Sequence, residues 1–168
     1  MPDNQDEPPR DGEATQEHAE ISSYLVTHAE AASAVVRDVV TGQVHTLAEH
    51  PSLHAGEVLQ ATVRPEPPLG VTSRIASLEE RRDVPVAVSD EPPTAHERSM
   101  AGELGEVNRF ERAGTGEIHV IKVPADRLSE TVEDLQRDEE LIARAARLSV
   151  ARVEIRTGDE LVAVRYLP

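Results

Sequence analysis

The chain has 168 residues, a formal net charge of −15 and no cysteine. The absence of cysteine excludes disulfides, Fe–S clusters, thiolate zinc sites and cysteine nucleophiles. Aromatic residues make up 2% of the chain and tryptophan is absent, so the core must be built from valine, leucine, isoleucine and alanine.

The acidic composition indicates the solvent in which the protein folds. There are 22 glutamates and 10 aspartates against 16 arginines and a single lysine, Lys122. Carboxylates in place of lysine, with small aliphatic residues in place of aromatic ones, are typical of a salt-rich cytoplasm. We therefore predict that K⁺ or another salt is needed for folding, because unscreened carboxylates repel one another. At ~1 M salt the Debye length is ~3 Å, so the net charge would hardly repel a polyanion.

The first 20 residues differ in composition from the rest of the chain. They contain seven carboxylates and one arginine, with almost nothing apolar. Such a segment cannot bury enough apolar surface to offset the entropy lost on ordering. The composition predicts a disordered acidic tail over residues 1–20.

Residues 21–88 contain several short alternating segments that predict β-strands. The segment "AVVRDVVTGQVHTL" predicts a hairpin with Thr41-Gly42 as its turn, so that His45 lies opposite Asp38. In "HAGEVLQATV" a glycine, Gly56, precedes a strand at a position where we expect positive φ. The segments "VTSRIASL" and "DVPVAV" follow the turn "PEPPLG". Five or six short strands predict a small β-barrel of the OB or SH3-like kind.

Residues 89–116 predict a linker, because they combine two prolines, four glycines and many charges. We expect their one aromatic residue, Phe110, to dock on a domain. Residues 117–168 change to a helical period after the strand "EIHVIKVP", with Asp126 predicted to cap the first helix and "EELIARAARLS" forming the second. Two strands follow. The order β-α-α-β-β predicts a compact domain with a three-stranded sheet, and thus an α+β protein with two domains.

The final segment, "RVEIRTGDELVAVRYLP", carries an unusual number of arginines for so acidic a chain. With Gly158-Asp159 as a two-residue turn, one face of the predicted hairpin holds three arginines and places two of them opposite each other. Like charges in that position destabilise a sheet. The compensation would come either from Glu154 and other carboxylates of the chain, or from an anion such as a phosphate backbone, which arginine forks suit. The candidate anion- or partner-binding residues are Arg152, Arg156 and Arg165.

The segment "HTLAEHPSLH" offers a second candidate site, for a metal ion. Its histidines, His45, His50 and His54, could bind zinc or nickel, although Pro51 interrupts the run and the spacing matches no catalytic motif. No nucleophile elbow occurs, and "AGTGE" lacks the lysine of a phosphate loop. We assign no catalytic residue and expect no cofactor.

Several stretches resemble a known group of sequences. The segments "VTGQVHTL", "ATVRPEPP", "ERAGTGEIHVIKVP", "IARAARLSVARVEIR" and "VRYLP" are similar to an uncharacterised haloarchaeal family of unknown function, over most of residues 22–168. The resemblance implies a high-salt cytoplasm and a two-part architecture. It implies no catalytic residue.

These observations predict a binding or adaptor protein more than an enzyme. Its partner would be RNA, in translation or RNA handling, or another protein. The alternatives are a small metal-dependent hydrolase using the barrel histidines, or a structural subunit of a larger assembly. No apolar run approaches the ~18 residues of a membrane span and no signal peptide is recognisable, so we expect a cytoplasmic protein without a membrane partner.

Overall fold

The computed structural model describes residues 20–168. The predicted acidic tail, residues 1–20, lies outside this range except for Glu20. Within the range, the chain forms two β-sheets, one of them a closed barrel. In this described part, no helix is both long and apolar enough to cross a membrane.

The first sheet is a closed barrel of five strands, as the sequence predicts. Its strand order is 1-2-3-5-4, and the first strand closes the barrel by pairing with both the second and the fourth. Alternate residues point inward and fill the interior with small and medium apolar side chains around one tyrosine. The strands are β1 (Ser22–Ala29), β2 (Ala34–Asp38), β3 (Val44–Leu47), β4 (Glu57–Pro65) and β5 (Ser73–Asp83). The interior residues are Tyr24, Val26, Ala34, Val36, Leu47, Leu53, Leu59, Ala61 and Val63.

The second sheet also has five strands, which are β6 (Val86–Val88), β7 (Val107–Glu111), β8 (Glu117–Lys122), β9 (Arg152–Gly158) and β10 (Leu161–Leu167). Their order in the sheet is β6-β9-β10-β8-β7. The strand, two helices and two strands predicted for residues 117–168 are present in the predicted chain order. The helices are α1 (Ala95–Ser99), a 3-10 turn (Ala125–Arg127), α2 (Leu128–Arg137) and α3 (Glu139–Arg147).

Two strands that the sequence placed elsewhere complete this sheet. β6, expected in the barrel, pairs in parallel with β9, where its neighbour Pro85 precedes an edge strand. β7 pairs with β8 inside the predicted linker, and α1 lies there too. The expectations of a three-stranded sheet and of an unpacked 89–116 segment are therefore wrong. Phe110 explains part of this, because it is partly buried and packs against the core cluster of Ile118, Val120 and Leu161.

The barrel and the second sheet share one apolar core. α3 lies between them and buries Leu141, Ala143, Ala145 and Ala146. Its neighbours are outward-facing residues of the barrel, Leu25, Val39 and Val58, and inward residues of the second sheet, Val153, Ile155, Val162, Val164 and Tyr166. The small alanine side chains let the helix approach both surfaces. Asp138 caps α3 by accepting a hydrogen bond from the Glu140 amide (2.9 Å), whereas Asp126, the predicted cap of the first helix, lies in the 3-10 turn and caps nothing.

Both predicted hairpins have a register that differs from expectation by two residues. In the β2–β3 hairpin Val36 lies opposite His45, so the predicted pair of His45 with Asp38 does not form. The Asp38 carboxylate instead accepts hydrogen bonds from the amides of Val40 (2.8 Å) and Thr41 (2.9 Å). These bonds lengthen the connecting loop, which extends from Asp38 to Gln43.

Candidate functional site

The arginine face of the last hairpin is assembled differently from the prediction. The turn residues are Asp159 and Glu160, both with positive φ (52° and 60°), instead of Gly158 and Asp159. The three arginines still share one face, because a shift of two residues preserves the alternation of side chains. However, Arg165 now lies opposite Glu154 and not opposite Arg152. The predicted like-charge pair is replaced by an opposite-charge pair.

Glu154 lies at the centre of this face and contacts all three arginines. Its Oε1 accepts from Arg156 Nε (2.6 Å) and from Arg165 Nη1 (2.8 Å), and its Oε2 accepts from Arg152 Nη1 (3.3 Å). Burial alone would raise the pKa of Glu154, but the guanidiniums of Arg156 and Arg165 outweigh burial and lower it. The carboxylate is therefore held ionised by its neighbours.

Two further carboxylates cover the face from the 89–116 segment. Glu97 of α1 is 1% exposed, and its Oε1 lies 3.1 Å from Arg165 Nε. Its Oε2 accepts from the Thr94 amide (2.7 Å) in a capping box that fixes the helix start. Glu91 Oε2 lies 2.5 Å from Arg156 Nη2. The three arginines thus face three carboxylates, and the cluster carries no excess positive charge.

The three predicted metal ligands are not brought together. His45 lies on β3, where its ring packs edge-on against Tyr24 with centroids 5.9 Å apart. His50 uses both ring nitrogens on the backbone, with Nε2 2.6 Å from the Glu30 carbonyl oxygen and Nδ1 accepting from the Leu53 amide (2.9 Å). These contacts give His45 and His50 structural partners.

His54 belongs to a different cluster, with Glu57 and Asp83. Its Nδ1 lies 3.2 Å from Glu57 Oε2, and its Nε2 lies 3.2 Å from Asp83 Oδ1. Glu57 is 3% exposed, and its oxygens already accept from Arg81 Nε (2.7 Å) and Arg81 Nη2 (3.2 Å). Arg81 also donates to the carbonyls of residues 51 and 52. This arrangement anchors the loop before β4 and leaves Glu57 without an oxygen free of competing donors.

A pair of unmatched arginines lies on the outer face of the barrel, at a place the sequence did not single out. Arg64 of β4 lies directly opposite Arg74 of β5, and both side chains are exposed. Within residues 20–168, no carboxylate forms an ion pair with either guanidinium, in contrast to the arginines of the last hairpin. The like-charge pair expected at the C-terminus therefore occurs at the β4–β5 hairpin.

The loop that joins these two strands adds exposed apolar surface beside the arginines. Leu69 is 82% exposed and Val71 is 79% exposed. Hydrogen bonds nevertheless fix the conformation of the loop. The Glu66 amide donates to the Thr72 carbonyl (2.8 Å), and the Thr72 hydroxyl donates to the Glu66 carboxylate (2.8 Å). This bond directs one oxygen of the Glu66 carboxylate, the acid nearest to Arg64 in sequence, to Thr72. We call Arg64, Arg74, Leu69 and Val71 the hairpin patch.

A signal for the hairpin patch is present in the sequence. Arg64 directly precedes the predicted turn "PEPPLG" and Arg74 lies four positions after its last residue, so a hairpin that pairs the two flanking segments places both arginines near its closed end. The loop is too long for its residue types to determine the register, as Asn-Gly would in a two-residue turn. For this reason the direct opposition of the two arginines emerges only from the structure.

The family model described as "Family of unknown function (DUF5812)" matches residues 20–157, and the chain belongs to this family. No curated protein and no solved structure matches the chain.

Proposed function

We propose that this member of the family is a cytoplasmic binding or adaptor protein that holds the phosphate backbone of single-stranded RNA at the hairpin patch, without catalysing a reaction. The observation that carries the proposal is the cross-strand pair Arg64–Arg74. Within the described residues it has no carboxylate to compensate its charge. An anionic partner supplies that compensation.

The physical reason lies in the repulsion between two guanidiniums fixed side by side. Like charges directly opposite in a sheet destabilise it, by an amount comparable to the stabilisation of an opposite-charge pair. A phosphate placed between them converts this repulsion into two attractions. Each guanidinium presents a planar fork of N–H donors that matches phosphate oxygens. At the last hairpin Arg165 lies opposite Glu154 and is neutralised by it, which is why we do not place the partner there.

The position of the patch on the barrel supports an RNA partner. The closed strand order β1-β2-β3-β5-β4 supports an OB-like barrel, in which the loop between strands 4 and 5 is one of the two that contact oligonucleotides. Here that loop carries Leu69 and Val71, with Arg64 and Arg74 at its base. In this proposal the barrel is the RNA-binding domain and the second sheet with its helices is a separate domain packed on it.

The scarcity of aromatic residues and the net negative charge determine which contacts with RNA we expect. Tryptophan is absent and aromatic residues are few, so base stacking, the usual device of single-strand binders, is not available. Contacts would be to phosphates, which carry no sequence information. The charge of −15 repels RNA elsewhere on the surface and confines binding to the one patch. In a salt-rich cytoplasm this repulsion is short-ranged.

The test is the salt dependence of binding to a short fluorescent oligouridine, followed by anisotropy. Each phosphate contact to a single strand contributes about 0.7 to the slope of log K against log salt. Because the two arginines hold one phosphate between them, the double variant Arg64→Gln/Arg74→Gln should bind more weakly and lower the slope by about 0.7. The matched control is Arg127→Gln/Arg137→Gln, which removes two exposed arginines of the α2 region that are paired with Glu130 and Glu133. This control should leave both quantities unchanged.

An unchanged slope in the Arg64/Arg74 variant would refute the proposal, as would equal losses in both variants. If the wild-type chain shows no saturable RNA binding but captures a protein through the hairpin patch, the hypothesis of an adaptor with a protein partner replaces the RNA-binding proposal.

A further inference from the structure

A cavity of about 360 Å³ lies between the second sheet and the helices α2 and α3, on the side of the sheet away from the arginine face. This volume is within the range of small-molecule sites. It is separate from the hairpin patch, which belongs to the barrel. It is lined by residues of the strands β7, β8 and β10 and of the helices α2 and α3.

One end of the cavity is formed by polar groups that the fold already holds in place. Glu117 of β8 accepts from Arg144 at both of its oxygens (2.6 and 2.7 Å from Nη2) and lies 2.9 Å from His119 Nε2. Burial lowers the pKa of His119 despite the hydrogen bond to Glu117, so the imidazole is neutral at pH 7. The His119 ring packs against Tyr166 with centroids 4.9 Å apart. This contact fixes the direction of the tyrosine ring.

Two lining groups remain without a partner. Tyr166 is 1% exposed and lines the cavity, yet within residues 20–168 no group accepts a hydrogen bond from its hydroxyl. Arg109 is exposed at the cavity mouth, opposite His119 in the β7–β8 ladder. In the described range it pairs with no carboxylate.

The other two arginines of the lining have carboxylate partners. Arg144 is bound to Glu117, and Arg147 is bound to Glu140 while also donating to the Val39 carbonyl (3.0 Å). Asp138, which caps α3, is a third carboxylate, so the charges around the cavity balance as a whole. Within the described residues, Arg109 is the one lining guanidinium without an ion-pair partner. Apolar side chains of Ile121, Leu135, Leu141 and Val164 complete the lining.

We propose that this cavity binds a small monocarboxylate with an apolar body. The carboxylate pairs with Arg109 and accepts a hydrogen bond from the Tyr166 hydroxyl, and the apolar body lies against Leu135, Leu141 and Val164. A lining guanidinium without a carboxylate partner gains one, and the Tyr166 hydroxyl, which meets the cavity, gains an acceptor. Burial raises the pKa of Tyr166 to about 12, so the hydroxyl stays protonated and able to donate at any physiological pH.

The test is a titration of the full ¹⁵N-labelled chain with sodium hexanoate, followed by amide chemical shifts, at constant ionic strength. We expect saturable shifts at residues lining the cavity. The neutral analogue 1-hexanol, which retains the apolar body, should bind at least about tenfold more weakly, because a charge-assisted hydrogen bond contributes roughly that factor or more.

Two variants separate the roles of the polar groups. Arg109→Gln removes the lining guanidinium that has no ion-pair partner, at an exposed position, and should weaken hexanoate binding about tenfold or more. Tyr166→Phe removes only the hydroxyl and should weaken it several-fold. Arg127→Gln, an exposed arginine outside the cavity, is the matched control and should bind hexanoate like the wild type.

Equal binding of hexanol and hexanoate would overturn the proposal, as would unchanged hexanoate binding in Arg109→Gln or shifts that do not saturate. The Arg109 variant tests the proposal even if Tyr166→Phe fails to fold, because Arg109 lies at the surface and its substitution should leave the fold intact. Hexanoate binding should be unaffected by Arg64→Gln/Arg74→Gln. The proposal for the cavity and the proposal for RNA binding can therefore be refuted independently of each other.

Discussion

The substitution Glu154→Gln tests whether the C-terminal arginine face is an internal ion-pair cluster. Glutamine keeps the size of the side chain and one acceptor oxygen but removes the charge on which Arg152, Arg156 and Arg165 converge. Arg156 and Arg165 have side chains only 12% and 17% exposed. They cannot turn to solvent freely, so the variant leaves buried positive charge with too few partners.

The size of the effect follows from this burial. Breaking a buried ion pair by removing one partner costs about 3–5 kcal/mol. Glu91 and Glu97 remain beside Arg156 and Arg165, so we expect the lower end, about 3 kcal/mol. For a chain of this size about 1 kcal/mol corresponds to about 2–4 °C in Tm, so the midpoint should fall by about 6–12 °C.

The assay is thermal unfolding followed by circular dichroism in molar KCl, with Glu133→Gln as the control. Glu133 is 64% exposed and pairs with Arg137 across one turn of α2, and exposed pairs of this kind contribute little. A fall below about 2 °C for Glu154→Gln, or equal falls for both variants, would refute the internal-cluster interpretation.

The same variant makes a prediction about acid pH. The pKa of Glu154 is lowered in the folded protein, since Arg156 and Arg165 outweigh the opposing effect of burial. A lowered carboxyl pKa contributes stability that is present above the unfolded value of about 4.3 and is lost as the pH falls through the folded value. The wild type should therefore lose its advantage over Glu154→Gln below about pH 4.

Three further predictions address the charge balance. The double variant Arg152→Ser/Arg165→Ser should lower the thermal midpoint while leaving oligouridine binding unchanged; intact stability with weakened binding would return the partner to this face. The chain should unfold at low KCl and fold at molar KCl by circular dichroism, because 32 carboxylates repel one another when unscreened; equal stability at both would contradict this. The His119 ring proton should titrate below the usual histidine pKa in NMR spectra, because burial lowers it, and the stability this gives is lost as the pH falls through the lowered value; a midpoint above about 6.5 would show that the Glu117 hydrogen bond outweighs burial.

The barrel could be predicted from the sequence because its strands alternate clearly and are separated by strong turn signals. Gly56 shows the principle at one residue: it has a φ of 93°, as expected for a glycine placed before a strand. The order of the C-terminal elements followed in the same way from the change to a helical period. These are local signals, and they act over a few residues.

The completion of the second sheet depends on long-range pairing that leaves little local trace. β6 has only three residues and pairs with a strand more than 60 positions later. β7 lies among glycines and charges, and only Phe110 marks it as a core strand. Composition therefore predicted a linker where the fold has an edge strand and a covering helix. The carboxylates Glu91 and Glu97, which neutralise the arginine face, come from this misassigned segment.

For the candidate sites too, the local sequence predicts which residues share a face, whereas their partners depend on long-range pairing. The three C-terminal arginines do share a face, as their alternation predicts, but their partners could not be found from the local sequence. His119 and Tyr166 were missed because each lies in an apolar strand, where a lone polar residue is more often a core residue with a local partner. The common face of Glu117 and His119, two residues apart on β8, was the available signal.

The strand registers of two hairpins explain where we place the proposed partner, because the register decides whether two arginines lie opposite each other. A cross-strand pair of arginines is destabilising, and the turn predicted for the last hairpin places Arg152 opposite Arg165 in such a pair. A shift of two residues puts Glu154 opposite Arg165 and supplies the anion from within the chain. At the β4–β5 hairpin the ladder leaves Arg64 opposite Arg74, and the nearest acid in sequence, Glu66, is bound to Thr72. We therefore place the proposed anionic partner at the hairpin patch, although the C-terminal segment has the higher local density of arginine.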